Sequence, residues 1–172
     1  MRGRPSWLGD RSPVRRGVAV FGLVGVAVAV VAAVGAAVGF PPGYNGAQSA
    51  SAGWLADRPA RWAGWRDAAT RDLVVFVPAY VAVGVAVLAW AMPTRAWRAR
   101  SIAALAAAGL ADVVETVLFR GTLDRLLAGS AAADLATRTR VTQAATVVKY
   151  GSFVLVAGTL GWWCCRPGSL RP

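Results

Sequence analysis

Residues 101–119 read SIAALAAAGLADVVETVLF, an apolar run of bilayer-spanning length that two carboxylates interrupt. At 1.5 Å per residue, about 20 apolar residues cross the roughly 30 Å hydrocarbon core of a bilayer as a helix. A charge near the centre of such a helix costs about 2.5–3.5 kcal/mol on insertion scales, so charged residues there are rare and usually have a partner. The two acids are Asp112 and Glu115, and their i, i+3 spacing places them on one helix face.

Three other runs of similar length have almost no charge. Residues 17–40 and 73–92 carry none, and 141–163 carry only Lys149, the single lysine of the chain. A signal peptide is the alternative for the first run, but its hydrophobic part would be only about 7–15 residues long. With 56% hydrophobic residues, the sequence predicts an all-α fold in which residues 1–172 form one integral membrane domain, a bundle of four transmembrane helices.

The connector between the first two spans has its own pattern. Its second half, residues 54–72, places Trp54, Trp62 and Trp65 among arginines and aspartates. Tryptophan rings favour the headgroup level, so the segment predicts an amphipathic helix on the bilayer surface, or alternatively a lid over a cavity. In the following span, Pro78 predicts a kink, because proline cannot donate to the helical ladder.

The formal net charge of +11 comes from arginines that lie beside the apolar runs. Anionic lipid headgroups are therefore the expected partner, rather than nucleic acid. The tails 1–16 and 164–172 and the short loop 94–100 contain ten of the 19 basic residues. This density predicts that both termini are cytoplasmic. The arginine, alanine, valine and glycine usage indicates a bacterial inner membrane protein, and the sequence leaves a homo-oligomer open.

The buried charges can be aligned by depth. Depth is counted in residues from the span ends that face the outer side of the membrane. On this count Asp112, Lys149 and Tyr80 fall within about one residue of a common level. We expect Lys149 to pair with either Asp112 or Glu115, and Tyr80 to donate a hydrogen bond to the other acid. Two acids against one base leave one negative charge, which would be protonated or would bind a cation.

These charges allow three functions. The first is a polar clasp between helices in a structural or partner-interacting protein. The second is a small proton- or ion-coupled transporter, or a ligand-binding membrane subunit, that uses Asp112, Glu115, Lys149 and Tyr80. The third is a catalytic site. A cavity that reaches the charges would favour the second function, whereas a dry and packed cluster would favour the clasp.

The sequence gives little support for an enzyme. Histidine is absent, which removes the commonest general base and transition-metal ligand. The chain has neither a Gly-x-Ser-x-Gly elbow nor a phosphate-binding glycine loop with lysine. Its two cysteines are adjacent and cannot form a zinc site. We therefore predict no catalytic residue and no cofactor. We also predict no metal, because Lys149 would repel a cation held by Asp112, Glu115 and Thr116.

The motif Asp112-x-x-Glu115, preceded by Leu110-Ala111 and followed by one lysine in the next helix, resembles a pattern in small four-span membrane proteins of actinobacteria. Those proteins carry Asp-x-x-Glu-Asn in the third span, and here Thr116 stands in place of the asparagine. The resemblance implies that the acidic pair is a family feature. It implies no activity.

Overall fold

The computed structural model describes residues 13–92 and 94–165, and within these ranges every regular element is helical. Most of the two predicted tails, residues 1–12 and 166–172, therefore lies outside the described part. The helices are α1 (Pro13–Val38), α2 (Tyr44–Gln48), α3 (Ala52–Ala56), α4 (Trp62–Arg71), α5 (Val77–Ala91), α6 (Arg95–Leu127) and α7 (Ala136–Cys165), with 3-10 turns at Pro59–Arg61 and Ala132–Leu135 and a π-helical turn at Asp72–Phe76.

Three helical stretches are long and apolar enough to cross a membrane. They are Pro59–Ala91 and Arg95–Leu127, each of 33 residues, and Ala132–Trp162, of 31 residues. A shorter apolar stretch, Gly22–Val38, forms most of α1. The all-helical prediction is confirmed for the described residues, and the second, third and fourth predicted spans correspond to the three long stretches.

The helices extend well beyond the predicted spans. The predicted third span covered 101–119, whereas α6 has 33 residues and at 1.5 Å per residue is about 50 Å long. Thr94 starts it by accepting a hydrogen bond from the Trp97 N–H at 3.3 Å. Gly129 ends it with a φ of +84°, which only glycine adopts without strain, while its N–H donates to the Leu126 carbonyl at 3.0 Å.

The predicted surface helix over 54–72 is replaced by a different arrangement. Its first part forms α3 and a 3-10 turn, and its second part, α4, continues through the π-helical turn into α5 as one long helix. Trp65 is only 1% exposed and packs with Phe119 and Leu123 of α6. The apolar face of α4 is therefore covered by protein, which is why the segment does not form a separate helix.

We call α2, α3, α4, the C-terminal end of α6 and the 3-10 turn at Ala132–Leu135 the helical cap. Its side chains form one hydrophobic cluster, which includes Tyr44, Leu55, Trp65, Phe119, Leu126 and Leu135. Packing against the other parts of the cap holds α4 in place, and because α4 continues into α5, it also determines where α5 begins. A second cluster, around Leu88, Met92 and Leu105, joins α5 to α6 at the opposite end.

The irregularity expected at Pro78 takes the form of the π-helical turn before it. In that turn the Val77 N–H donates to the Asp72 carbonyl, a bond across five residues instead of four. A proline ring in a regular helix clashes with the carbonyl four residues earlier, and the wider turn gives the ring room. The extra residue also sets the direction in which Asp72 points relative to the rest of the helix.

Candidate functional site

Lys149 lies between two carboxylates of α6. Its Nζ is 3.0 Å from Asp112 Oδ1 and 2.5 Å from Glu115 Oε2. The remaining oxygens also have donors, because Tyr80 donates to Asp112 Oδ2 at 2.8 Å and Thr146 to Glu115 Oε1 at 2.7 Å. Spans from α5, α6 and α7 thus meet at one polar point, which we call the charge triad (Asp112, Glu115 and Lys149).

The structure brings all four predicted residues together, but the pairing differs from the expectation. We expected one acid to pair with Lys149 and the other to be left for Tyr80. Instead Lys149 binds both carboxylates, and Tyr80 donates to one that is already paired. The reason is the i, i+3 spacing, which holds Asp112 and Glu115 close enough for one ammonium group to reach both.

A third carboxylate, Asp72, lies in the same region and is only 4% exposed. Three donors converge on its Oδ2: Tyr44 and Gln48 at 3.1 Å, and Thr116 at 3.2 Å. Among the residues that the structure describes, no hydrogen bond reaches Oδ1 and no basic side chain pairs with Asp72. The sequence pattern placed Asp72 at the end of the charged connector, whereas in the structure it lies in the π-helical turn with its side chain buried.

Tyr44 of the cap serves as a permanent donor to this acid. Burial raises the pKa of the Tyr44 phenol well above its usual range, and the charge of Asp72 raises that pKa further. The hydroxyl therefore keeps its proton at any physiological pH. Gln48, one turn later on α2, donates to both Tyr44 and Asp72 at 3.1 Å, so the short helix α2 is tied to the π-helical turn by its side chains.

A cavity of about 610 Å³ reaches these charges. Its volume falls in the range of roughly 300–1,000 Å³ that is typical of small-molecule sites. Asp72, Asp112, Lys149 and Gln48 line it, whereas the rest of its wall is mainly apolar. One face of α1 forms the opposite wall, with lining positions that recur at helical spacing: Val24, Ala27, Val28, Val31, Ala32 and Gly35.

The cavity has a polar end and an apolar end. Asn45, Gln48 and Asp72 lie at the end beneath the cap, and the triad follows. Beyond the triad the wall is apolar, and it ends near Leu88 and Leu160. An interior with this gradient can hold an amphiphile, with a polar group beneath the cap and a hydrocarbon part along the helices.

The charges at the polar end do not balance. Asp72, Asp112 and Glu115 carry three carboxylates, and Lys149 supplies one ammonium group. Lys149 forms ion pairs with Asp112 and Glu115, and among the described residues none joins it to Asp72. Among the described residues, no group of three or more histidine, cysteine or acidic side chains could hold a metal ion. The imbalance leaves room for a proton or for a cation.

The predicted interfacial tryptophans lie in the cap. Trp65 belongs to its core and is almost completely covered by protein. Trp54 and Trp62 are partly buried; Trp62 Nε1 donates to the Leu55 carbonyl at 2.8 Å, and the guanidinium of Arg58 lies 3.8 Å from the centroid of the Trp54 ring. These rings stabilise the cap, and they do not line the cavity.

The sequence reasoning missed Asp72, Tyr44 and Gln48. A signal for Asp72 exists: it directly precedes an uncharged run and lies four residues before Phe76 and eight before Tyr80, which both line the cavity. Tyr44 and Gln48 are spaced i, i+4, but α2 has only five residues. A helix that short is not stable by itself, and hence no sequence pattern predicts it.

Comparison with known proteins adds no further constraint. Neither a protein-family model, nor a curated protein sequence, nor a solved structure matches this chain.

Proposed function

We propose that this chain is a multi-pass protein of a bacterial inner membrane that binds an amphiphilic small molecule between its helices. The observation that carries the proposal is the cavity, because it reaches Asp112 and Lys149 in the middle of apolar helices and Asp72 at the edge of an apolar run. Buried charges cost free energy in a membrane, and at such a cost they usually serve a ligand, an ion or a proton.

The membrane assignment includes α1 as a fourth span. With 26 residues, α1 is about 39 Å long, which exceeds the roughly 30 Å hydrocarbon core. It packs against α5 and α7 and supplies one wall of the cavity. A helix that lies beside two spanning helices over this length occupies the same layer of the bilayer.

The proposed orientation places both termini in the cytoplasm and the cap on the opposite side. Directly after the short loop from α5, the first two turns of α6 carry Arg95, Arg98 and Arg100, and such a cluster favours the cytoplasmic side. Several cap arginines instead bind protein groups: Arg66 pairs with Asp124, Arg58 donates to the Trp54 carbonyl at 2.8 Å, and Arg71 donates to the Gly39 carbonyl at 3.3 Å. The arginines that stay free near the membrane would attract anionic headgroups.

A purely structural clasp is the second candidate function. The observation in its favour is that Lys149 of α7 binds two acids of α6, which fixes the relative position of these helices. A clasp explains the triad, but it does not explain why Asp72 lacks a cation or why a cavity reaches the charges. The cavity lies within a single chain, so ligand binding does not require a second copy.

Saturable photolabelling tests the proposal against the clasp. A dodecanol that carries a diazirine at its chain end would be added to the protein in phosphatidylcholine nanodiscs and activated by light. We expect labelling of Val156, which lines the cavity, to be suppressed by excess dodecanol. Labelling of Val154 and Leu155, which face outward with 70% and 66% exposure, should persist, because bulk lipid sites do not saturate.

A matched pair of variants on α1 controls this experiment. Ala27 lines the cavity, whereas Ala33 is exposed and does not. Ala27→Phe should obstruct the cavity and abolish the saturable labelling, and Ala33→Phe should leave it unchanged. Labelling that never saturates, or that Ala27→Phe does not alter, would refute ligand binding in the cavity and leave the clasp.

A further inference from the structure

We propose that the ligand is a lipophilic amine: one hydrocarbon chain with a protonated amino group that binds Asp72. This inference rests on the proposed function and assigns the chemical class of its ligand. Four features carry it, namely the acceptor, the sign of the charge, the aromatic wall and the shape of the cavity.

The acceptor is the free oxygen of Asp72. Asp72 is only 4% exposed, and it lines the cavity. Its Oδ2 accepts three hydrogen bonds, while its Oδ1 accepts none from the described residues. A carboxylate oxygen of a residue that lines a cavity can accept a hydrogen bond from a donor bound there. An ammonium group is such a donor.

The charge around the polar end selects a cation. An anionic head group would meet Asp72 and the two acids of the triad, and the single positive charge there is already held by both of those acids. A neutral head group would leave Asp72 without a counter-charge in a low-dielectric site. A protonated amine supplies both the missing charge and the missing donor.

Aromatic rings beside Asp72 fit the same ligand. Phe40, Phe76 and Tyr80 all line the cavity and form a connected series. The ring centroids of Phe40 and Phe76 are 5.4 Å apart and nearly perpendicular, and those of Phe76 and Tyr80 are 5.7 Å apart. Aromatic faces attract cations, and the attraction is strongest where water is excluded.

The shape of the cavity limits the hydrocarbon part. From Asp72 to Leu88 the wall follows about 24 Å of helix. This length suits one extended hydrocarbon chain, and the lining along it is mainly apolar. We therefore place the amine beneath the cap and the chain toward Leu160.

The experiment uses the photolabelling assay with three competitors that differ only in their head group: dodecylamine, dodecanol and dodecanoate. For each competitor, the concentration that halves the labelling of Val156 would be measured in wild type and in Asp72→Asn. Comparing the two proteins for one competitor cancels its partition into the lipid. The control Asp67→Asn makes the same change at an exposed position of α4.

We expect Asp72→Asn to weaken competition by dodecylamine about tenfold or more, since a hydrogen bond to a charged group is lost. Competition by dodecanol should change much less, and Asp67→Asn should behave as wild type. Saturable labelling of Asp72→Asn by the probe itself would show that its cavity is intact. Equal effects of Asp72→Asn on dodecylamine and dodecanol would overturn the amine proposal while leaving the proposed function in place.

A last competitor distinguishes two sources of the amine. Lysophosphatidylethanolamine carries its amino group on a single-chain membrane lipid, whereas dodecylamine is a free amphiphile. Displacement by lysophosphatidylethanolamine that depends on Asp72 would support the proposal with a lipid as the source. Displacement by dodecylamine alone would support it with a free amine, and displacement by neither would overturn it.

Discussion

At the residue scale, Lys149 decides the charge state of the helix interface. It is the only lysine of the chain, and its ammonium group binds both Asp112 and Glu115. An ion pair in a low-dielectric site is a weak source of net stability, but removing one partner leaves an uncompensated charge. In this triad the effect is asymmetric, because one base serves two acids.

The first prediction follows from this asymmetry. Lys149→Met should lower the free energy of unfolding by about 3–5 kcal/mol, because it leaves two carboxylates facing each other. Asp112→Asn or Glu115→Gln alone should cost less, since Lys149 keeps one acid. The triple variant Lys149→Met, Asp112→Asn, Glu115→Gln should recover most of the loss. Unfolding in mixed detergent micelles measures all four.

Asp124→Asn is the control for that series. It removes an ion pair with Arg66 whose side chains are 44% and 41% exposed, so its cost should stay below about 1 kcal/mol. If Lys149→Met costs no more than Asp124→Asn, the triad does not hold the helices together.

At the element scale, the π-helical turn sets the register between the cap and the membrane part. Upstream of it, α4 places Trp65 in the cap core; downstream, α5 places Tyr80 beside the triad. Both placements need the extra residue of the turn. The valines within it, Val74 and Val75, are 70% and 46% exposed and make no contribution to either core.

The second prediction uses this register. Deleting Val75 would restore a regular helix and rotate the upstream part by about 100° relative to α5. Trp65 and Tyr80 could then no longer occupy both of their sites, so we expect a loss of several kcal/mol in unfolding free energy. Val75→Ala, which keeps the register, should cost less than about 1 kcal/mol. Equal stability of the deletion and Val75→Ala would show that the turn does not set the register.

At the scale of the whole molecule, the proposed topology has an even number of membrane crossings. If α1, the long helix ending in α5, α6 and α7 all cross, the two termini lie on one side and the cap lies on the other. From the arginine distribution we propose that the side of the termini is the cytoplasm. Three of these helices have the length and composition of spans, and α1 is the proposed addition.

The third prediction is therefore topological. Alkaline phosphatase fused after Ser130, in the cap, should be active because it is exported, and a fluorescent protein at either terminus should be fluorescent because it remains in the cytoplasm. An active phosphatase at the C-terminus together with a fluorescent N-terminus would indicate an odd number of crossings. In that case α1 would not span the membrane.

Some residues of the site could be predicted from the sequence, and Asp72 could not. Asp112, Glu115, Lys149 and Tyr80 could be predicted because straight helices convert sequence spacing into depth and direction. Asp72 could not, because an acid at the edge of an apolar run is usually at headgroup level. Here the helix continues upstream, and the π-helical turn aims Asp72 inward.

The cap could not be predicted for a related reason. Trp65 follows the pattern of an interfacial tryptophan, but tertiary packing against Phe119 and Leu123 covers it. Tyr44 and Gln48 depend on Asp72 and Thr116 for their place. These contacts join residues far apart in sequence, and local patterns carry no information about them.

The most direct test of the central claim is to identify what the protein retains from its own membranes. Wild type, Ala27→Phe and Ala33→Phe would be purified in parallel, extracted with organic solvent and compared by mass spectrometry. The account predicts one amphiphile with an amino group that is enriched over bulk lipid in wild type and Ala33→Phe and lost in Ala27→Phe. The same bulk lipid composition in all three proteins would contradict it.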